Sequence, residues 1–127
     1  MFHRHNEGAE RMRQRKEAED QAPRLSDSCP TLQTLRLQLR FRRGETRIED
    51  SAHVKIVVVA RAPAMFFVPC ADKECREGGH DITSMVMDGL RRKQTTVTGE
   101  DACHGTLGSA QSRCSGSLEF VATATYG

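Results

Sequence analysis

Residues 35–42 read LRLQLRFR, and this stretch decides the fold because leucine or phenylalanine alternates strictly with a polar residue. Successive side chains of an extended strand point to opposite faces, so the alternation places one apolar face on a core and one polar face toward solvent. The sequence therefore predicts a half-buried strand here. We expect it to end in a turn over residues 43–45, at Gly44.

Apolar patterning predicts four further strands and one helix. The run at 54–60 is rich in valine, which predicts a central strand covered on both faces. Behind Asp81, the expected N-cap, apolar residues recur at helical spacing and predict a helix that ends near Lys93: Ile82, Met85, Val86 and Leu90. The remaining strands are expected at residues 65–68, 94–98 and 118–126.

This order of elements predicts an α+β fold, namely a small antiparallel β-sheet with one helix packed across it. Leu, Ile, Val and Phe make up only 24 of the 127 residues, and residues 1–31 contain just Phe2 and Leu25 from this set. We therefore expect a charged, flexible or helical N-terminal extension over 1–31 and a folded domain over 32–127. So thin a core would gain from an additional cross-link.

Four cysteines in the second half of the chain are the candidate cross-link. They form Cys70-x4-Cys75 and Cys103-x10-Cys114, with 27 residues between the two pairs. Because tetrahedral zinc takes four ligands, two loops at strand ends that supply two thiolates each would hold one structural zinc ion. Disulfides, an iron–sulfur centre or a redox-active dithiol are the alternatives. Cys29 is interpreted as a bystander in a polar linker.

Two histidines lie close to these cysteines in the sequence. His80 precedes the predicted helix and His104 follows Cys103 directly. Either is a candidate alternative ligand, or a hydrogen-bond donor to a thiolate that itself binds the metal. We expect His80 to pack or to donate a hydrogen bond, since it precedes the cap. Adjacent residues seldom bind one ion, so His104 is the weaker ligand candidate.

In architecture the chain resembles the zinc-ribbon and treble-clef group of four-cysteine zinc proteins. The resemblance covers about residues 65–126 and is carried by the cysteines and the helix between the two pairs. Both cysteine pairs are spaced more widely than the Cys-x2-Cys that is usual in the group. The resemblance implies a structural zinc ion in a module that binds nucleic acid or docks onto proteins.

Residues 36–47 carry five arginines against one glutamate, a local charge of +4 in a chain whose net charge is +2. Arginine suits phosphate, so this strand is a candidate nucleic-acid contact: Arg36, Arg40, Arg42, Arg43 and Arg47. Single-strand binding also favours exposed aromatic rings. Here Phe41 is expected on the buried face, which leaves Tyr126 as the plausible exposed ring.

No phosphate-binding loop, nucleophile elbow or zinc-deaminase signature is present in the sequence, so we do not expect an enzyme. The start of the chain has no apolar run and no segment approaches 18 apolar residues, so we expect a cytoplasmic protein without a membrane span. The preferred hypothesis is a non-enzymatic zinc protein that acts as an interaction adaptor or accessory subunit of a complex. The alternative is a basic zinc module that binds RNA or DNA.

Overall fold

The helices and strands of the chain follow from a computed structural model, which describes residues 3–43, 46–47, 52–71, 75–76, 78–107 and 112–127. In chain order they are α1 (His3–Gln21), α2 (Leu25–Ser28), β1 (Leu32–Arg43), β2 (Thr46–Arg47), β3 (His53–Val57), β4 (Phe67–Pro69), β5 (Cys75–Arg76), β6 (Gly79–Asp81), α3 (Thr83–Arg91), β7 (Thr96–Ala102), β8 (Thr106–Leu107), β9 (Ser112–Arg113) and β10 (Gly116–Tyr126). All of the strand pairs are antiparallel, so the predicted α+β class is confirmed. The predicted turn at 43–45 runs into residues outside the described part of the chain.

The main sheet has the order β2–β1–β10–β7, and β3 also pairs with β1. Strands β1 and β10 are paired along almost their whole length, with Leu37 opposite Ala122 and Leu39 opposite Phe120. Burial alternates along both strands, as the sequence pattern predicts. The buried apolar side chains of β1 and β10 form one core cluster with the buried residues of α3.

Helix α3 is the helix that packs across the sheet. Asp81 Oδ1 accepts a hydrogen bond from the N–H of Thr83 at 3.1 Å, which satisfies one donor at the start of the helix. Val86 and Leu90 are buried in the core. The helix ends at Arg91, and Lys93 then adopts a left-handed backbone with φ of 56°. A left-handed residue just past a helix is a common way to end one.

Strand β3 differs from its prediction as a central strand. It pairs with β1 at one edge of the sheet, and Val57 is the only one of its five residues that is buried. The sequence indicated two covered faces because apolar residues occupy consecutive positions. On an edge strand the same residues remain open to solvent, so the side chains of Val54 and Ile56 are exposed.

The segment that follows α1 is packed against the rest of the chain. The N–H of Leu25 donates to the carbonyl oxygen of Ala62 at 2.8 Å, and the N–H of Ala64 donates to that of Pro23 at 2.8 Å. Leu25 and Cys29 are both buried in the core. The division into an extension over 1–31 and a domain over 32–127 stays a prediction, but the core does take side chains from before residue 32.

None of the helices in the described part of the chain has the length and apolar character needed to cross a lipid bilayer.

Candidate metal centre

Cys103 and Cys114 lie on the two arms of one long β-hairpin. Ala102 of β7 pairs with Ser117 of β10, and further along Thr106 of β8 pairs with Arg113 of β9. Thr106 lies four residues after Ala102, and Arg113 lies four residues before Ser117. The register of the hairpin is therefore continuous through the residues between these two pairs. The segment between the two cysteines, expected as a loop at strand ends, therefore contains the paired strands β8 and β9.

The hairpin is interrupted by two copies of the same short unit, Cys-x-Gly, at 103–105 and 114–116. The N–H of Cys103 donates to the carbonyl oxygen of Gly116, and the N–H of Cys114 donates to that of Gly105, both at 2.9 Å. Within each unit the glycine N–H points at the cysteine sulfur: Gly105 N lies 3.4 Å from Cys103 Sγ, and Gly116 N lies 3.3 Å from Cys114 Sγ. This repeated unit is a sequence signal that analysis of cysteine spacing alone missed.

Cys70 and Cys75 lie on or next to short strands outside the two arms of this hairpin. Cys70 directly follows β4, which pairs with β6. Cys75 is the first residue of β5 and lies opposite Leu107 of β8, so β5 adds a third strand to the hairpin tip. The sheet pairing therefore brings all four cysteines to one place, although Cys70 and Cys114 are 44 residues apart.

The four sulfur atoms lie within 4.8 Å of one another. Cys70 Sγ is 3.8 Å from Cys114 Sγ, and Cys75 Sγ is 3.5 Å from Cys103 Sγ. A tetrahedral zinc ion with Zn–S bonds of about 2.3 Å requires sulfurs about 3.8 Å apart, whereas a disulfide requires about 2.05 Å. The observed distances therefore suit four ligands around one ion and do not suit two disulfides.

Glycines allow the sulfurs to approach this closely. A Cβ atom added to Gly78 would collide with the sulfurs of both Cys75 and Cys103. A Cβ on Gly116 would lie 3.2 Å from Cys114 Sγ and 3.4 Å from Cys70 Sγ, which is tight but adjustable. The centre is therefore packed against backbone on two sides.

Interactions within the cluster shift the pKa values of Cys103 and Cys75 in opposite directions. Burial acts to raise the pKa of Cys103, but the N–H of Gly105 and hydrogen bonds from the other three thiols outweigh it and lower the pKa overall. For Cys75, burial and then the neighbouring thiols raise the pKa. A cation that binds all four sulfurs must displace the remaining protons, so metal binding is coupled to proton release.

The metal-ligand cluster in the described residues consists of the four cysteines, without His80 or His104. His80 has no exposed surface, and its Nδ1 lies 2.9 Å from Asp101 Oδ2, which ties β6 to β7. His104 is exposed and lines a cavity of 460 Å³ with Arg15, Phe67 and other residues beside the centre. The Arg15 guanidinium lies over the Phe67 ring at 4.0 Å.

The structure places the candidate nucleic-acid contacts on and beside the solvent face of the main sheet. Arg36 and Arg40 are exposed there, whereas Arg42 is half-buried with its Nε 3.2 Å from Glu119 Oε1. Arg43 is exposed at the end of β1; Arg47 lies in β2, and its side chain is outside the described part of the chain.

Tyr126, expected as the exposed ring, is half-buried. Its hydroxyl donates to the carbonyl oxygen of Gln94 at 2.6 Å, and its ring packs partly against the core. A ring held in this way is not a free stacking surface for a base.

No protein-family model, curated protein or solved structure matches this chain. Of the resemblance to zinc ribbons and treble clefs, the structure supports the clustering of the four cysteines, and no family is identified. An assignment of function depends on the geometry of the sulfurs and on the surfaces around them.

Proposed function

We propose that this chain is a small non-enzymatic protein in which Cys70, Cys75, Cys103 and Cys114 hold one structural zinc ion, and which acts as an interaction adaptor or accessory subunit of a complex. The observation that carries the proposal is the convergence of four sulfurs within 4.8 Å. Catalytic zinc sites keep one coordination position open for water or substrate, whereas four thiolates close the shell. Such a centre supplies stability to the fold.

A single zinc ion fits this sulfur set better than disulfides or a multi-iron cluster do. Four-sulfur tetrahedral sites select zinc or iron, and sulfurs this close together suit a single ion better than a multi-iron cluster. Structural zinc contributes on the order of 10 kcal/mol of apparent binding energy, comparable with a typical domain's net stability of about 5–15 kcal/mol. A metal would therefore compensate for the thin core.

A protein partner is favoured over nucleic acid by the charges on the sheet. Arg40 lies opposite Glu119, which in turn lies opposite Glu100, so acidic side chains alternate with the arginines on that face. Arg42 is already engaged by Glu119. A phosphate backbone would meet a surface of both charges that lacks a freely exposed aromatic ring among the described residues. The exposed apolar side chains of Val54 and Ile56 on the neighbouring strand suit a polypeptide better.

Elemental analysis of the purified full-length chain tests the metal assignment. We expect about one zinc per chain, and loss of the metal together with cooperative unfolding in Cys70→Ser. The matched control is Cys29→Ser, because Cys29 is buried outside the cluster and its replacement should leave the metal content unchanged. Iron in place of zinc, or a Cys70→Ser protein with full metal content, would contradict the assignment.

Co-purification from a native lysate tests the adaptor role. We expect a stoichiometric protein partner with the parent and with Cys29→Ser, and none with Cys70→Ser. Fluorescence anisotropy with single-stranded RNA and DNA tests the alternative. Micromolar binding that weakens steeply between about 50 and 200 mM salt, and that Arg36→Gln with Arg40→Gln abolishes, would replace the adaptor with the nucleic-acid module.

A further inference from the structure

Strand β3 leaves one edge of the main sheet without a neighbour in the described part of the chain. It pairs with β1 from His53 to Val57, and no other described strand joins it. The outer edge of a strand presents backbone N–H and C=O groups that can pair with another extended segment. This edge is therefore a template for the addition of a strand.

The side chains along this edge are unusually apolar for exposed positions. Val54 and Ile56 occupy alternate positions of β3, and Val58 follows directly after the strand; their side chains are 55%, 68% and 59% exposed, respectively. Val54 lies opposite the exposed Gln38 of β1, so the side chains of Val54 and Ile56 lie on the solvent face of the sheet. Alternate apolar positions match a partner strand that has the same period of two.

The size of this surface points to a peptide segment. Three such side chains expose on the order of 300 Å², within the range of the largest apolar patch on a typical monomer, which is often functional, whereas a stable protein–protein interface buries about 800 Å² on each partner. Lys55 lies in the middle of β3, so two copies paired about that residue would bring like charges together. Both considerations weigh against a second copy of this chain.

The charge around the edge selects an acidic occupant. Residues 32–43 and 52–61 contain arginine and lysine and no aspartate or glutamate. Arg36 lies opposite Ile56, and Lys55 is exposed on β3 itself. Carboxylates placed between the apolar residues of an added strand would point to the face that carries Lys55, because successive side chains of a strand alternate between faces.

We propose that the outer edge of β3 binds an extended segment of a partner protein in which apolar residues alternate with Asp or Glu, by addition of a strand to the sheet. The inference rests on the proposed adaptor function and identifies its docking surface. Main-chain hydrogen bonds to β3 supply affinity, while Val54, Ile56 and Val58 contact the alternate apolar side chains.

Selection from a random nonapeptide phage library, with the full-length, metal-loaded chain as bait, tests the proposal. We expect the enriched peptides to alternate apolar and acidic residues. A synthetic peptide of the enriched sequence should bind Ile56→Glu at least 10-fold more weakly than the parent. The matched control is Thr98→Glu, the same charge change at an exposed position on β7 at the opposite edge of the sheet, and it should bind as the parent does.

Ile56 is mostly exposed, so thermal melts of the two variants should match that of the parent. Enriched peptides without the alternation, no enrichment at all, or undiminished binding to Ile56→Glu would overturn the proposal. A concentration-dependent dimer in sedimentation equilibrium that Ile56→Glu abolishes would also overturn it, in favour of a second copy. If Ile56→Glu still recovers the lysate partner, the docking surface is wrong while the adaptor stands; if the parent recovers none, the adaptor itself fails.

Discussion

Replacing Gly78 with alanine tests whether the four sulfurs form a metal centre. The backbone of Gly78 needs no conformation reserved for glycine, so the effect of the substitution is steric. The added methyl group would collide with the sulfurs of Cys75 and Cys103 together. Carbon and sulfur need roughly 3.5–4.0 Å, so the sulfurs or the backbone must move by about 1 Å.

A metal site tolerates deviations of only about 0.2 Å in its bond lengths. We therefore expect Gly78→Ala to weaken metal binding at least 100-fold, which corresponds to about 2.7 kcal/mol. The assay is titration with Co²⁺, whose absorption reports thiolate coordination, followed by competition with Zn²⁺. Displacement of one ligand should lower the sulfur-to-cobalt absorption as well as the affinity.

Two further glycines serve as controls for this measurement. Gly116→Ala places its Cβ at 3.2 Å and 3.4 Å from two sulfurs, so we expect only a several-fold loss of affinity. Gly89→Ala would collide with Val97 in the core, and it should lower the melting temperature with an unaltered cobalt spectrum. If Gly78→Ala binds Co²⁺ as tightly as the parent and with the same spectrum, the sulfurs do not form the centre described above.

Three other substitutions test the fold. Lys93 has a left-handed backbone just after α3, a conformation that glycine adopts without strain. Lys93→Gly should therefore stabilise the protein by about 1 kcal/mol in thermal melts, and an unchanged or lower melting temperature would argue against strain at this residue. Leu118→Ala opens a cavity at a fully buried position and should cost about 2–5 kcal/mol in urea unfolding, so a loss below about 1 kcal/mol would contradict the packing. Burial raises the pKa of Cys29, partly offset by Arg91, so the neutral thiol stabilises the fold. That contribution is complete below the ordinary thiol pKa of about 8.5 and is lost as pH rises through the folded-state value. Urea unfolding between pH 7 and pH 11 should therefore show a steeper alkaline loss in the parent than in Cys29→Ala, and identical curves would refute this.

The parts of the fold that the sequence predicted are those where one local pattern has one physical meaning. The alternation in β1 required one buried and one open face, and the structure has both. The run at 54–60 misled because consecutive apolar residues suit a covered strand and an apolar edge strand equally well. Which of the two occurs depends on the neighbouring strands, and no local pattern encodes them.

The candidate site could be predicted only in part, because it too depends on pairing between segments that are distant in the sequence. Cysteine identity predicted the ligands, and the structure clusters those four sulfurs. The spacing of Cys103 and Cys114 did not predict the hairpin, because the hairpin follows from the pairing of residues 96–102 with residues 117–123, which cysteine spacing does not report. The glycines that follow these two cysteines were visible, but their role depends on N–H groups that point at sulfur.

The continuous register of the metal-bearing hairpin has a consequence for finding relatives of this chain. The ten residues between Cys103 and Cys114 reflect the length of the hairpin tip, and the ion places no demand on that number. Lengthening or trimming both arms of the tip equally would leave the two Cys-x-Gly units opposed. A homologue can therefore carry a different gap and keep the same centre, and a search pattern should hold the two units fixed while their separation varies.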